Sequence, residues 1–275
     1  MPSVHRYRMI VTDIDGTLVD LQQMISKRNK EMISAFQQQG GIVTLATGRV
    51  EEAALPYAQE LHIRHPVILY NGGKIVDFNT DHCYFEARLT LNVIERCLQL
   101  LQDQPLDMIF YADKQIWVKE ITQPIEAYMK KDRVQCHSWD TPDFLKQSNV
   151  NKILIIKEDQ DFSGVSEALE SMVGVNCELV RSEPTYLEVL PRSVSKGQAL
   201  ITLAKHLGIK LQEVIAIGDN LNDLEMIQTA GLGVAVGNAH PELKAHAQYV
   251  AKSHLEHAVA EVIHKYGLHR ISHSS

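Results

Sequence analysis

Two carboxylates one residue apart, Asp13 and Asp15, close the short apolar run Met9-Ile10-Val11-Thr12, and Gly16-Thr17-Leu18 follow them. Successive strand residues point to opposite faces, so residues two apart share a face while the strand continues. Two anions held that close repel, and at least one carboxyl should hold its proton unusually well unless a cation lies between them. The chemistry this suits is a metal site, an acid–base pair, or both. Asp-Gly is also an ordinary turn pair, so the stretch alone leaves a plain turn open.

Four further polar sites interrupt apolar runs: Thr47-Gly48-Arg49, Asn71-Gly72-Gly73, Lys196, and Gly218-Asp219-Asn220-Leu221-Asn222-Asp223. Carboxylates, one lysine and small hydroxyl or amide groups suit a hard, oxygen-loving cation such as magnesium together with a phosphate. Phosphoryl transfer needs the transferring oxygens neutralised and a nucleophile held in line. Lys196, the Thr47 hydroxyl and a metal can supply the first, and a carboxylate can be the nucleophile. Each site also has a plainer reading. Lys196 alone reads as a solvated helix-start lysine, and Thr47-Gly48-Arg49 as a strand end. Arg49 is expected either to meet substrate or to pair with Glu51 or Glu52.

The elements that must position these groups alternate. Apolar runs at 8–12, 42–46 and 66–70 are too short for helices and end in Gly-containing loops, with helical patterns at 27–39 and 50–61 between them, the second bent near Pro56. Strand–helix alternation implies parallel strands with crossover helices. Ligands bind at the carboxyl ends of strands in such sheets, so the three loops should converge. From about residue 74 the pattern changes to hairpins mixed with helices, including helices near 90–101, 124–131 and 161–172. The parallel pattern resumes with a helix at 197–207, strands at 214–217 and 232–236, and a last helix at 253–266. The expected fold is α/β, a Rossmann-like parallel-sheet core (1–86 and 188–275) with an inserted α+β cap domain (87–187).

Asp13-Ile14-Asp15-Gly16-Thr17-Leu18, Thr47-Gly48-Arg49, Ser195-Lys196-Gly197 and Gly218-Asp219-Asn220-Leu221-Asn222-Asp223 resemble, in order, the four motifs of the haloacid dehalogenase superfamily. The insert between the second and third motifs, the Asn71-Gly72 loop and Tyr186-Leu187-Glu188-Val189-Leu190-Pro191 look like the Cof-like phosphatases with a C2-type cap. The resemblance covers essentially the whole chain and implies the following roles. Asp13 is the nucleophile that forms an aspartyl phosphate, and Asp15 is the general acid and then the base. Asp13, Asp15 (through its carbonyl) and Asp219 bind magnesium, while Asp223 holds the metal's waters or orients Lys196. Thr47 and Lys196 bind phosphoryl oxygens, with Gly48, Arg49, Asn71 and Asn222 as further substrate-binding residues.

With 275 residues, 45% of them hydrophobic, the chain can bury a large core. A net charge of -7 with no basic run argues against nucleic acid. Cys83, Cys97, Cys136 and Cys177 form no C-x-x-C pair and read as buried thiols in a reducing compartment. No signal peptide and no membrane-length apolar run is apparent, so the expected location is cytoplasmic. His254, His257 and His264 have helical spacing but no nearby carboxylate set, and read as surface histidines. Tyr111, Trp117, Tyr128, Trp139, Tyr186, Arg133, His137, Arg181 and Glu183 are candidates for leaving-group recognition by the cap. The expected activity is magnesium-dependent hydrolysis of small phosphorylated metabolites, sugar phosphates or phosphorylated cofactors such as FMN or pyridoxal phosphate. A phosphomutase and a non-catalytic phosphate-sensing or partner-binding protein are the alternatives. Nothing in the sequence fixes the oligomeric state.

Overall fold

The computed structural model describes residues 7–268, so the outermost parts of the expected core segments, 1–6 and 269–275, lie outside the described residues. The first strand, β1 (Met9–Thr12), is buried at every position. After it come α1 (Lys27–Gln38), β2 (Ile42–Leu45), α2 (Glu51–Glu60) and β3 (Val67–Leu69). Ser26 caps α1 as its position predicts, its hydroxyl accepting the Asn29 amide at 3.2 Å. Pro56 lies inside α2 without ending it.

β4 (Lys74–Asp77) and β5 (His82–Glu86) follow, and β3, β4 and β5 form a small antiparallel sheet. A parallel bridge from Ala46 to Ile68 ties it to β2, which brings the ends of the first three strands together.

The insert contains α3 (Leu91–Asp103), β6 (Asp107–Ala112), β7 (Gln115–Val118), α4 (Gln123–Asp132), β8 (His137–Ser138), β9 (Val150–Ile156), α5 (Ser163–Leu169), β10 (Cys177–Glu183) and β11 (Tyr186–Pro191). Its six strands run in the order β10-β11-β9-β6-β7-β8. The two faces of this sheet have different partners. Met108, Phe110, Ile153, Ile155, Leu187 and Val189 pack into a cluster with α3 and α5, while Ile109, Tyr111, Leu154 and Ile156 belong to the cluster that is continuous with the core. The period-2 alternation of a strand produces this division directly. β11 crosses position 188 and stays in the insert's sheet to Pro191, because its ladder with β10 continues to the Cys177–Pro191 pair.

The chain then makes α6 (Lys196–His206), β12 (Val214–Gly218), α7 (Leu224–Thr229), β13 (Leu232–Ala235), α8 (Pro241–His246), β14 (Tyr249–Val250) and α9 (Ala258–Val262). The main sheet has the order β14-β13-β12-β1-β2, and every pairing is parallel. α1 packs on α9, and α6 on α7. The single last helix expected over 253–266 is broken. A 3₁₀ turn at His254–Glu256 precedes His257, whose left-handed backbone (φ +65) separates it from α9, and a wider π turn at Ile263–Gly267 follows.

Candidate active site

Asp13 extends β1 by one rung, its amide donating to the Ile217 carbonyl of β12 at 3.0 Å. The chain then leaves the strand in a tight turn, with the Leu18 amide donating back to the Ile14 carbonyl at 2.9 Å. Gly16 sits in that turn at φ +72, and a Cβ on it would come 2.5 Å from Asp219 Oδ2. Only glycine permits both the backbone angle and the approach of Asp219. The turn also separates the two carboxylates that a continuing strand would have placed on one face. Each finds its own cation.

Asp13 turns down to Lys196, which opens α6. Lys196 Nζ donates to Asp13 Oδ1 at 2.7 Å and to Asp223 Oδ1 at 2.6 Å. Lys196 is 1% exposed and Asp223 fully buried, so these charges are desolvated and interact strongly. Asp223 is saturated, since its Oδ2 accepts the amides of Asp219 at 2.9 Å and Asn220 at 3.2 Å. Burial raises the Asp13 carboxyl well above the usual range; Lys196 opposes this, and the neighbouring Asp223, Asp219 and Asp15 add to it. Lys196 itself holds its proton more firmly than a free lysine, because the two carboxylates outweigh its burial.

Asp15 turns the other way. Arg49 Nε donates to its Oδ2 at 2.7 Å and Arg49 Nη2 to its Oδ1 at 2.8 Å, a bidentate pair. Gln23 Nε2 adds a bond to Oδ1 at 3.3 Å. Burial pushes the Asp15 carboxyl up, but the Arg49 contact outweighs it and leaves Asp15 below the ordinary carboxylate range. Arg49 therefore pairs with Asp15 rather than with Glu51 or Glu52, and its guanidinium is occupied instead of free for substrate.

Thr47 is 1% exposed at the end of β2. Its Oγ1 accepts the Arg49 amide at 3.1 Å, so its own proton is free to point elsewhere. Behind this loop Asn71, left-handed at φ +54, accepts a bond at Oδ1 from Asn222 Nδ2 at 3.0 Å and donates from Nδ2 to Glu188 Oε2 at 2.6 Å. Asn71, one of the expected substrate-binding residues, is buried and is not among the residues that line the cavity above the site.

Oxygen donors gather on the core side. Asp13, Asp219 and Asp223 each offer a carboxylate oxygen, all within 4.8 Å of one another. Thr17 Oγ1 donates to Asp219 Oδ1 at 3.0 Å. Burial and the Asp223 charge lift the Asp219 carboxyl to about 7. Asn222 Oδ1 is buried without a hydrogen-bond partner. A crowded, all-oxygen anionic set with an orphaned acceptor fits a hard divalent cation and its waters. Asp13 and Asp219 would be the carboxylates to hold it, since both oxygens of Asp223 are already engaged. The Asp15 side chain lies outside this set.

Above these groups is a cavity of about 770 Å³ that the insert roofs over. Asp13, Asp15, Thr47, Gly48, Arg49, Asp219 and Asn222 form its floor. Of the expected cap candidates, Tyr111, Tyr128, Arg133, Glu183 and Tyr186 reach it. The others pack elsewhere: Trp117 against His137 and Phe144, Trp139 against Phe110, and Arg181 over Phe162. His254 also reaches the cavity, while His257 meets the Ser26 hydroxyl at 2.9 Å.

Lys131, Asp132, Lys152 and Glu188, none of them among the expected site residues, line the cavity too. Two of them carried a signal. Lys152 is the one charge in Val150–Ile156 and Glu188 the one charge in Tyr186–Pro191, runs that are otherwise almost wholly apolar. A charge inside a buried strand needs a partner.

A family model of haloacid dehalogenase-like hydrolases matches residues 10–263. The chain belongs to that family, and it is an enzyme of the family's phosphatase type. Bacillus subtilis YxeH is 31% identical over 267 residues, covering 94% of this chain and 98% of its own. The 5-amino-6-(5-phospho-D-ribitylamino)uracil phosphatase YcsE of the same organism is 29% identical over 261 residues, covering 93% and 94%. A haloacid dehalogenase-like hydrolase from Bacteroides thetaiotaomicron superposes with a TM-score of 0.85 at 32% identity, covering 94% of this chain and 99% of that one.

Proposed function

We propose that this chain is a magnesium-dependent phosphomonoester hydrolase for small phosphorylated metabolites, acting through an aspartyl phosphate on Asp13. One observation carries the reading: Asp13, on the floor of a roofed cavity, is bonded at 2.7 Å to Lys196, which is buried beneath it. A phosphoryl group bound there meets Asp13 and the Thr47 hydroxyl, with the Lys196 charge directly behind Asp13. Magnesium, held by Asp13 and Asp219, would neutralise phosphoryl oxygens.

In the first half-reaction the Asp13 carboxylate attacks phosphorus and the ester oxygen departs with a proton from Asp15. In the second, water attacks the acyl phosphate, Asp15 takes its proton, and inorganic phosphate leaves with Asp13 restored. Arg49 keeps Asp15 ionised before substrate arrives, which suits the base role directly. The acid role requires the incoming ester to loosen the Arg49 contact so that Asp15 can hold a proton.

The chain divides, on this reading, into a core that holds the phosphoryl group and a cap, 87 to about 191, that reads the leaving group and keeps water out. A cavity of about 770 Å³ fits a sugar phosphate or a phosphorylated cofactor, and the tyrosines and charged groups of the cap suit hydroxyl-bearing or heteroaromatic leaving groups. The YcsE relative, named for a phosphorylated ribitylaminouracil, is in keeping with that range. The test is release of inorganic phosphate from a generic aryl phosphate, with magnesium and with a chelator, before a panel of phosphorylated metabolites is tried. Release that depends on magnesium supports the reading. No release at any metal concentration favours a phosphate-sensing role, and transfer to a second hydroxyl without free phosphate favours a mutase.

A further inference from the structure

Lys152 and Glu188 come from neighbouring strands of the cap sheet. Glu188 pairs with Leu154, and Lys152 pairs with Tyr111, so period 2 puts all three polar side chains on the face toward the core. Both members of the ion pair are 5% exposed at the side chain, with Nζ to Oε1 at 3.3 Å. The Lys152 ammonium also lies 4.6 Å above the Tyr111 ring. Neither charge stops at the other. Lys152 Nζ donates to the Gly48 carbonyl at 2.8 Å, and Glu188 Oε2 accepts from Asn71 Nδ2 at 2.6 Å. Each reaches across from the cap to one of the two loops that shape the phosphoryl pocket.

These bonds hold one peptide at both ends. The peptide linking Gly48 to Arg49 has its carbonyl on Lys152 and its N–H on Thr47 Oγ1. With that lone pair taken, the Thr47 hydroxyl is left to donate into the cavity. Asn71, held by Glu188, in turn holds Asn222 and lies directly under Gly48, whose Cβ, if it had one, would be 3.0 Å from Asn71 Nδ2. A third tie, Asn220 Nδ2 to the Ser182 carbonyl at 2.7 Å, joins the cap to the Asp219 loop.

We infer that Lys152 and Glu188 are positioning residues: a buried ion pair on the cap that, when the cap is seated, fixes the Gly48–Arg49 peptide and Asn71, and so aims the Thr47 hydroxyl at the phosphoryl group and holds Asn222 in place. This rests on the phosphatase reading. Opening the cap withdraws both charges from the loops, so phosphoryl binding and cap closure are one event. Lys152 is engaged by three partners and is not itself the phosphate's ligand.

The experiment compares Lys152→Met, Lys152→Arg, Glu188→Gln and the double Lys152→Met/Glu188→Gln, which leaves no unpaired buried charge. Turnover is measured on an aryl phosphate and on an alkyl phosphate, and inorganic phosphate binding by calorimetry with magnesium present. The expected result is a fall in kcat of about tenfold or more for Lys152→Met, by the same factor on both esters, since a small misplacement of a binding loop has effects of that order. Inorganic phosphate should bind about tenfold more weakly. Lys152→Arg, which still donates to the Gly48 carbonyl, should recover most of both, and the double variant should be no worse than the worse single, because the two residues act as a unit. Losses that differ between the two esters would make the pair a leaving-group reader and overturn the inference. So would additive losses, or a folded double variant with unchanged phosphate binding. If the wild type binds phosphate but releases none from either ester, the phosphatase reading fails, and the calorimetric arm still decides the latch.

Discussion

Lys196 and Arg49 share out the two opening carboxylates, and the sharing sets their chemistry apart. Asp13 is buried with a lysine that two acids must divide, and its carboxyl is raised; Asp15 has a bidentate arginine to itself, and its carboxyl is lowered. Opposed environments alone would make the raised carboxyl the acid, so the proposed roles need a cation at Asp13 and a loosened Arg49 contact at Asp15. Asp13→Asn removes the proposed nucleophile and also a burdened buried charge. It should abolish phosphate release while leaving the melting temperature unchanged or higher; appreciable residual turnover would remove Asp13 from its role. Asp15→Asn should slow an alkyl phosphate by about 10²–10⁴-fold, the usual span for a lost acid–base group. An activated aryl phosphate, whose leaving group needs little protonation, should lose less than about tenfold. Equal losses on the two esters would contradict the acid assignment.

At the scale of elements, the strand ends are where the chain approaches itself most closely. Gly72 lies at φ +101, and a Cβ there would sit 2.1 Å from the Ser195 carbonyl, one residue before Lys196. Gly72→Ala should therefore destabilise the protein by more than about 1 kcal/mol and reduce turnover with it, because the start of α6 must shift. Gly164, in α5 of the cap, has open space where a Cβ would lie, with nothing within 4 Å of it; Gly164→Ala should be neutral or stabilising by up to about 1 kcal/mol. Thermal melts of the two variants check the contrast. These elements were legible to different degrees. β2, β12 and β13 are apolar runs with glycine at or beside an end, β1 is one that stops at Asp13, and their boundaries fall within a residue or so of expectation. The motif residues were legible because chemistry restricts their types. The broken C-terminal helix was not, since a left-handed His257 has no signature in its residue type. Nor were the partners of Arg49 and Asn71. Those depend on which side chains from distant segments arrive at one place, and Asp15 and Glu188 compete for such contacts only in three dimensions. Lys152 and Glu188 are lone charges in apolar strands, a sign that each needs a partner, but their targets lie on loops of the core.

For the whole molecule the acidic cluster ties stability to metal and pH. The Asp219 carboxyl is raised to about 7, and Asp13 is raised as well. A raised carboxyl stabilises the metal-free fold fully below the unfolded value near 4. That stabilisation is lost as pH climbs through about 7, because the folded state holds the proton that the unfolded chain has released. Metal-free protein should thus melt lower at pH 8 than at pH 5. Magnesium needs the deprotonated oxygens, so its addition should raise the melting temperature more at pH 8 than at pH 5. Calorimetric melts in magnesium and in chelator at the two values test this, and equal shifts would rule out Asp13 and Asp219 as the groups concerned.

The arrangement of the insert also bears on how the molecule is made. All six strands of the cap sheet lie within a continuous stretch that is complete at Pro191. The main sheet is different: β1 waits for β12, more than two hundred residues downstream, and Asp13 for Lys196 and Asp223. Chains are synthesised from the N-terminus and their domains fold as units. On the ribosome, then, the cap can close its own sheet while the core still lacks its central partner, and Asp13 stays without Lys196 until the last third of the chain has emerged. The cap, which on the proposed reading selects the substrate, is finished before the residues proposed for the chemistry have met.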